Sequence, residues 1–180
     1  MIYQRMILKK GRDASLGRGH PWVFSGAIAR VEGEPAPGEV VLATDAGGKP
    51  IGLGFFNTGD IAFRLLNDDS AARIDSDFWK RRIEQAIMLR ERVVPPETDA
   101  YRLVNAEGDG MPGLVVDRYG SYLVISIGTA GIEKWRDLLI DLLSQALKPA
   151  GIYERSEGRS RQLEGLSDRI GPVAGRIPEA

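Results

Sequence analysis

Apolar residues in the first 72 positions fall into short runs, "YQRMIL", "VVLAT", "IGLGFF" and "IAFRLLN", separated by the turn-forming stretches "GEPAPGE", "DAGGKP" and "NTGD". Runs of this length bounded by Gly, Pro, Asn and Asp predict strands, and their close succession predicts a small barrel-like β domain. In "IAFRLL" the alternation sets Ile61, Phe63 and Leu65 on one face, with Ala62, Arg64 and Leu66 on the other. One face is core and the other is mixed.

At "DDSAARIDSD" the period changes. "SDFWKRRIEQAIMLRERV" places Trp79, Ile83, Ala86 and Ile87 at helical spacing behind Ser76 as N-cap, and the consecutive prolines of "VPPETD" end the helix. Strands come next in "YRLVN", "GLVVDR" and "YLVISIG". A second helix then runs through "GIEKWRDLLIDLLSQALKP", with Ile132, Trp135, Leu139, Leu142, Leu143 and Ala146 in one stripe, stopped by Pro149 with Gly151. "GIYERS" reads as a last strand, and "GPVAGRIPEA" carries no core-building pattern. The expected class is α+β. A β domain over residues 1–72 precedes a small α+β domain over 73–172 made of a helix, a three-strand antiparallel meander, a helix and a strand, with 173–180 trailing it.

Composition changes this picture in one place. The 24 basic and 25 acidic residues give a net charge of -1, which excludes a uniformly basic coat for nucleic acid, so any polyanion site is local. Such a place exists in the first thirty residues, where Arg5, Lys9, Lys10, Arg12, Arg18 and Arg30 face Asp13 alone, a local charge of +5. Beside them, "GRGHPWVFSG" supplies aromatic and hydrogen-bonding groups that suit a phosphate backbone with an unstacked base or a helical groove. The same residues also fit a solvated strand and loop with Trp22 and Phe24 in the barrel core, and composition leaves both readings open.

Other chemistry is thinly represented. There is no cysteine, which excludes disulfides, thiolate zinc sites and cysteine nucleophiles within the chain, and the single His20 leaves little material for a metal site. His20 lies near Asp13, Ser15 and Ser25 in sequence, but triads are seldom built from sequence neighbours and His20-Pro21 reads as a turn. Asp109 with Asp117, or Glu154 with Glu157, could act as acid and base or hold magnesium, the third reading being a small-molecule enzyme; solvated carboxylates are the commoner case. Lys80, Arg81 and Arg82 read as the wet face of a helix, the alternative being a second RNA contact. The opening "MIYQRMILKKGRDASLGRGHPWVF" has no apolar stretch of signal-peptide length, and no run of about 18 apolar residues occurs, so a cytoplasmic protein without a membrane partner is expected.

"EGDGMPGLVVDRYG" contains a G-x-G-x-x-G in Gly108, Gly110 and Gly113. A phosphate-cradling loop needs a helix after the glycines, whose free N–H groups hold the anion. Here the glycines lead instead into a short β-branched run closed by Gly120, and Pro112 removes a donor from inside the motif. The glycines are expected to turn a wide hairpin.

"GHPWVFSGAIARVEG" resembles the N-terminal PUA domain, an RNA-binding pseudobarrel, of the bacterial large-subunit rRNA cytosine-5 methyltransferases that use S-adenosylmethionine. "RLVNAEGDGMPGLVVDRYGSYLVI" and "IYERSEGRSRQLEGL" resemble the α+β domain next to it in that family. The resemblance implies an RNA surface at Lys9, Lys10, Arg12, Arg18 and His20, with Trp22 either stacking on RNA or in the core. It implies large-subunit rRNA as partner, no metal, and a homodimer as one arrangement open to it. In that family a Rossmann-like methyltransferase domain comes next, carrying the cofactor loop and the cysteine that attacks cytosine C6. Residues 173–180 would then begin a linker to that domain. The expectation is a recognition part without catalytic or cofactor-binding residues of its own, S-adenosylmethionine belonging to the full-length protein. The alternative is a stand-alone PUA-type RNA-binding adaptor with no enzymatic activity.

Overall fold

The computed structural model describes residues 3–178. Residues 1, 2, 179 and 180, at the outer ends of the segments expected at 1–72 and 173–180, lie outside the described residues. The chain divides into two compact units, Met1–Ile74 and Asp75–Ala180.

In the first unit the apolar runs become β1 (Gln4–Leu8), β4 (Val40–Thr44), β5 (Pro50–Phe56) and β6 (Ile61–Asn67). A four-residue helix α1 (Ala14–Gly17) and the strands β2 (Trp22–Phe24) and β3 (Ile28–Glu32) lie between β1 and β4. Neither β2 nor β3 stands out in the sequence, because "WVF" is too short to show a period and "IARVE" buries no residue fully. The six strands form one mixed sheet in the order β2-β6-β5-β4-β1-β3. All pairings are antiparallel except β1 with β4, where Gln4 to Ile7 run alongside Val41 to Thr44.

That order places β1 inside the sheet, and its Met6 and Leu8 are fully buried. They join Leu16, Val23, Val41, Ala43, Phe56 and Phe63 in the core of the unit, each large apolar side chain contributing roughly 1.5–3 kcal/mol by leaving water. Along β6 the simple two-face reading gives way. Ala62, Phe63 and Leu66 are buried while Ile61, Arg64 and Leu65 are half-buried, because irregular register against β2 and β5 spreads the covered positions over both faces.

The second unit opens with α2 (Ser76–Val93), which turns Phe78, Trp79, Ile83 and Ala86 inward. Its N-cap is Asp75 and not Ser76: the Asp75 carboxylate accepts the Phe78 backbone N–H at 3.0 Å, and Ser76 is the first helical residue. Asp75→Ala is expected to cost about 1 kcal/mol in urea unfolding, whereas Ser76→Ala should be close to neutral. Equal effects would return the cap to Ser76.

Five strands form the sheet of this unit in the order β11-β10-β9-β8-β7. They are β7 (Ala100–Asn105), β8 (Leu114–Tyr119), β9 (Tyr122–Ile127), β10 (Gly151–Ser156) and β11 (Arg169–Gly175), with only β9 and β10 parallel. In β9 the alternation is complete: Leu123, Ile125 and Ile127 are buried and the residues between them are not.

The expected second helix is two, α3 (Ala130–Glu133) and α4 (Arg136–Leu147). The break falls at Lys134 and Trp135. Trp135 lies against Trp79 at a ring separation of 5.6 Å, and Arg136 reaches Glu154 on β10. Of the stripe read from the sequence, Ile132, Leu139 and Leu143 are buried, Trp135 and Leu142 are half-buried and Ala146 is exposed. Helix α4 packs on α2. It stops at Lys148, which takes the left-handed conformation at φ 46°, while Gly151 already belongs to β10.

A short helix α5 (Arg159–Leu163) leads to β11. No apolar pattern announces β11, because it is an edge strand held by backbone pairing to β10, with Gly171, Pro172 and Gly175 in its run.

Candidate nucleic-acid interface

The α1–β2 connection decides where the basic and aromatic residues of the first unit go. Leu16 anchors α1 in the core, and Gly19, at φ +84°, turns the chain so that the His20 N–H donates to the Ser15 carbonyl at 3.0 Å. The Trp22 backbone N–H lies 3.2 Å from His20 Nδ1, and the two rings meet edge to face with centroids 5.9 Å apart. Pairing of β2 with β6 sets Trp22 opposite Arg64, whose guanidinium lies 5.5 Å from the centre of the indole. A cation on the indole face adds electrostatic attraction to the packing.

Strand alternation then sends Val23 into the core, while half-buried Trp22 and exposed Phe24 point the other way; Phe24 is 52% exposed. This overturns the alternative in which both aromatics are core.

Together Arg12, Ser15, His20, Trp22, Phe24 and the Gly26–Ala27 turn line a surface hollow of about 380 Å³. Of the six residues expected at an RNA surface, Arg12, His20 and Trp22 line it. Lys9 is exposed and its ammonium donates to the Gly26 carbonyl at 2.8 Å, tying β1 to the wall of the hollow. Lys10 and Arg18 are exposed and do not line it.

Two other cations of the basic stretch are engaged with Glu32 on β3: Arg30 at 3.2 Å and Arg5 at 3.7 Å, with Arg5 also donating to the Gly48 carbonyl. The excess of +5 counted over thirty residues stops just short of this carboxylate. The positive charge left facing water is that of Lys10, Arg12 and Arg18, with Lys9 beside them.

In the second unit every carboxylate considered for acid–base or metal chemistry is bonded to an arginine. Asp109 forms a fork with Arg90 at 2.5 and 2.7 Å and accepts the Asn105 N–H. Asp117 pairs with Arg102, and Glu157 with Arg155. Glu154, 1% exposed, receives Arg136 at 2.6 and 2.9 Å and the Ser156 hydroxyl at 2.8 Å. These hydrogen bonds hold the Arg136 guanidinium above its ordinary pKa, with burial working against them. Asp117 and Glu154 border separate open hollows and Asp109 borders neither, so no common pocket gathers them among the described residues. Nor is there a group of three His, Cys, Asp or Glu placed to hold a metal ion among those residues.

The glycine motif joins β7 to β8 as an antiparallel hairpin loop. Gly110 and Gly113 hold φ of +66° and +95°, and strand β8 comes directly after them. A Cβ at Gly110 would meet the Arg82 guanidinium, and one at Gly113 would overlap the Thr129 side chain. The space over these glycines is filled by protein, which does not fit the cradle of S-adenosylmethionine or another nucleoside cofactor.

Residues 6–68, which span nearly all of the mixed six-strand sheet, match the family model of the PUA-like domain. The chain is 40% identical over 178 residues to Ribosomal RNA large subunit methyltransferase I of Citrobacter koseri, and 41% identical over 180 residues to the protein of that name in Salmonella paratyphi C. These matches cover 98% and 99% of this chain but 45% of each relative, so the chain spans less than half the length of the curated relatives it matches. Among solved structures, a Streptococcus mutans protein described as "a putative sam-dependent methyltransferase" superposes with a TM-score of 0.78 at 17% identity, over 99% of this chain and 44% of that one. A second solved structure, described as "a putative methyltransferase complexed with SAH", gives the same score and identity. At that identity the likeness is one of fold. No helix among the described residues is long and apolar enough to cross a membrane.

Proposed function

We propose that the chain is the RNA-binding, substrate-recognition part of a cytoplasmic S-adenosylmethionine-dependent large-subunit rRNA methyltransferase, and that the α1–β2 hollow with its exposed cations is where rRNA docks. The observation that carries this reading is the convergence of Arg12, His20, Trp22 and Phe24 on one hollow in the PUA-like domain. Support for rRNA as partner comes from the curated relatives' names, and support for S-adenosylmethionine as methyl donor from the titles of the two solved structures and from the sequence resemblance. Support for cytosine C5 as acceptor is the sequence resemblance. Methyl transfer itself is assigned to sequence that the relatives carry outside the matched stretch, since the glycine loop does not fit the donor.

Lys10, Arg12 and Arg18 act by neutralising phosphates, Lys9 by shaping the wall, and His20 and Trp22 by contacting sugar or base. Phosphate contacts release counterions, so log affinity for a structured rRNA fragment should fall with log salt at a slope of about -3 if those three side chains engage one phosphate each. A flat response in a filter-binding titration would exclude phosphate-led docking.

A further inference from the structure

We propose that the hollow on the first unit takes one unpaired nucleobase, so that the preferred RNA presents a bulged or single-stranded nucleotide beside a helix and not a continuous duplex. This rests on the RNA-binding reading and adds the form of RNA that the site selects.

The lining is mostly apolar. Trp22, Val23, Phe24 and Ala27 supply that surface, and only Arg12, Ser15 and His20 bring polar side chains to it. An apolar concavity is a poor seat for phosphate, which keeps its water, and a good one for the π-face of a base. A duplex keeps those faces stacked inside the helix; only an unpaired nucleotide can offer one. The volume of about 380 Å³ lies at the low end of the roughly 300–1,000 Å³ typical of small-molecule clefts, room for a base and too little for a helical stem.

Phe24 is the residue that receives the base. The register of β2 against β6 shifts between Val23 and Phe24, an irregularity of the kind that re-aims a side chain, and it leaves a phenyl ring half in water at the mouth of the hollow. Trp22 already has Arg64 over its ring and the His20 ring edge-on, so it forms the fixed wall. Phe24 has no ring partner of its own among the described residues. Lys10, Arg12 and Arg18 stand nearby to hold the flanking phosphates.

The test compares a perfect RNA duplex with the same duplex carrying one bulged adenosine, titrated at low salt against the chain and two variants. The bulged RNA should bind about tenfold tighter, Phe24→Ala should bring its affinity down to that of the duplex measured with the same variant, and Phe24→Tyr should keep the preference. Phe24 lies outside the core, so circular dichroism should be unaltered in both variants. Equal binding of the two RNAs by the unaltered chain, or a preference that survives Phe24→Ala, would overturn the inference and leave the RNA-binding reading standing. Failure of the chain to bind either RNA would overturn both.

Discussion

Arg161→Met is expected to lower the stability of the second unit by about 3 kcal/mol and its melting temperature by on the order of 10 °C. Arg161 is 1% exposed and sits on α5, where its Nε donates to the Ser167 carbonyl at 2.6 Å and its Nη1 to the Ile127 carbonyl and to Glu133, both at 2.8 Å. One guanidinium thus ties the end of β9, helix α3 and the turn before β11. Methionine fills much of the space and supplies no donor, leaving those acceptors to lose bonds they cannot replace from water. The cost stays at the lower end of the range for broken buried pairs because Glu133 keeps Arg169 at 3.0 Å. Arg161→Lys should recover only part of the loss, since an ammonium lacks the planar fork that reaches several acceptors. Differential scanning calorimetry reads the outcome, and a loss below about 1 kcal/mol would show that the network is not holding these segments together.

Reversing Lys10, Arg12 and Arg18 to glutamate should weaken RNA binding at least about 100-fold and flatten its salt dependence, the slope losing roughly one unit per phosphate contact removed. These side chains are exposed and form no ion pair among the described residues, so the fold should survive and far-ultraviolet circular dichroism should match that of the unaltered chain. Lys9 is left in place because its ammonium holds the Gly26 carbonyl, and a change there would mix structure with charge. An unchanged affinity would move the docking surface to another face. A loss of affinity with an unchanged slope would mean that the contacts are not to phosphate.

Legibility in the sequence tracked the length of the periodic signal. The runs at β1, β4, β5 and β6 could be read as apolar clusters between turn residues, and the burial of Trp79, Ile83 and Ala86 from a helical period repeated over several turns. Strand β2 could not, being three residues long, and so the direction of Trp22 and Phe24 stayed open until pairing with β6 fixed it. Arg136, which opens α4 after the break from α3, meets Glu154, a partner 18 residues away that no local pattern reveals. Likewise "RSEGRSRQLEGL" alternates charge without a strict period, and only its tertiary partners make Arg161 a core residue. For the interface, the cluster of cations was visible, but their division into free and engaged was not. Glu32 lies on a strand whose pairing with β1 brings it to Arg5.

The placement of β1 between β3 and β4 also imposes an order on synthesis. Gln4 cannot meet its parallel neighbour Val41 until that residue has left the ribosome, which at about 5–20 residues per second is roughly 2–7 seconds after Gln4 itself emerges. Throughout that interval the segment containing Met6, Ile7 and Leu8 has no finished sheet to enter. The nascent chain can pair β1 with β3 as soon as Glu32 is out, but the other edge of that hairpin, with its apolar side chains, stays uncovered until β4 arrives.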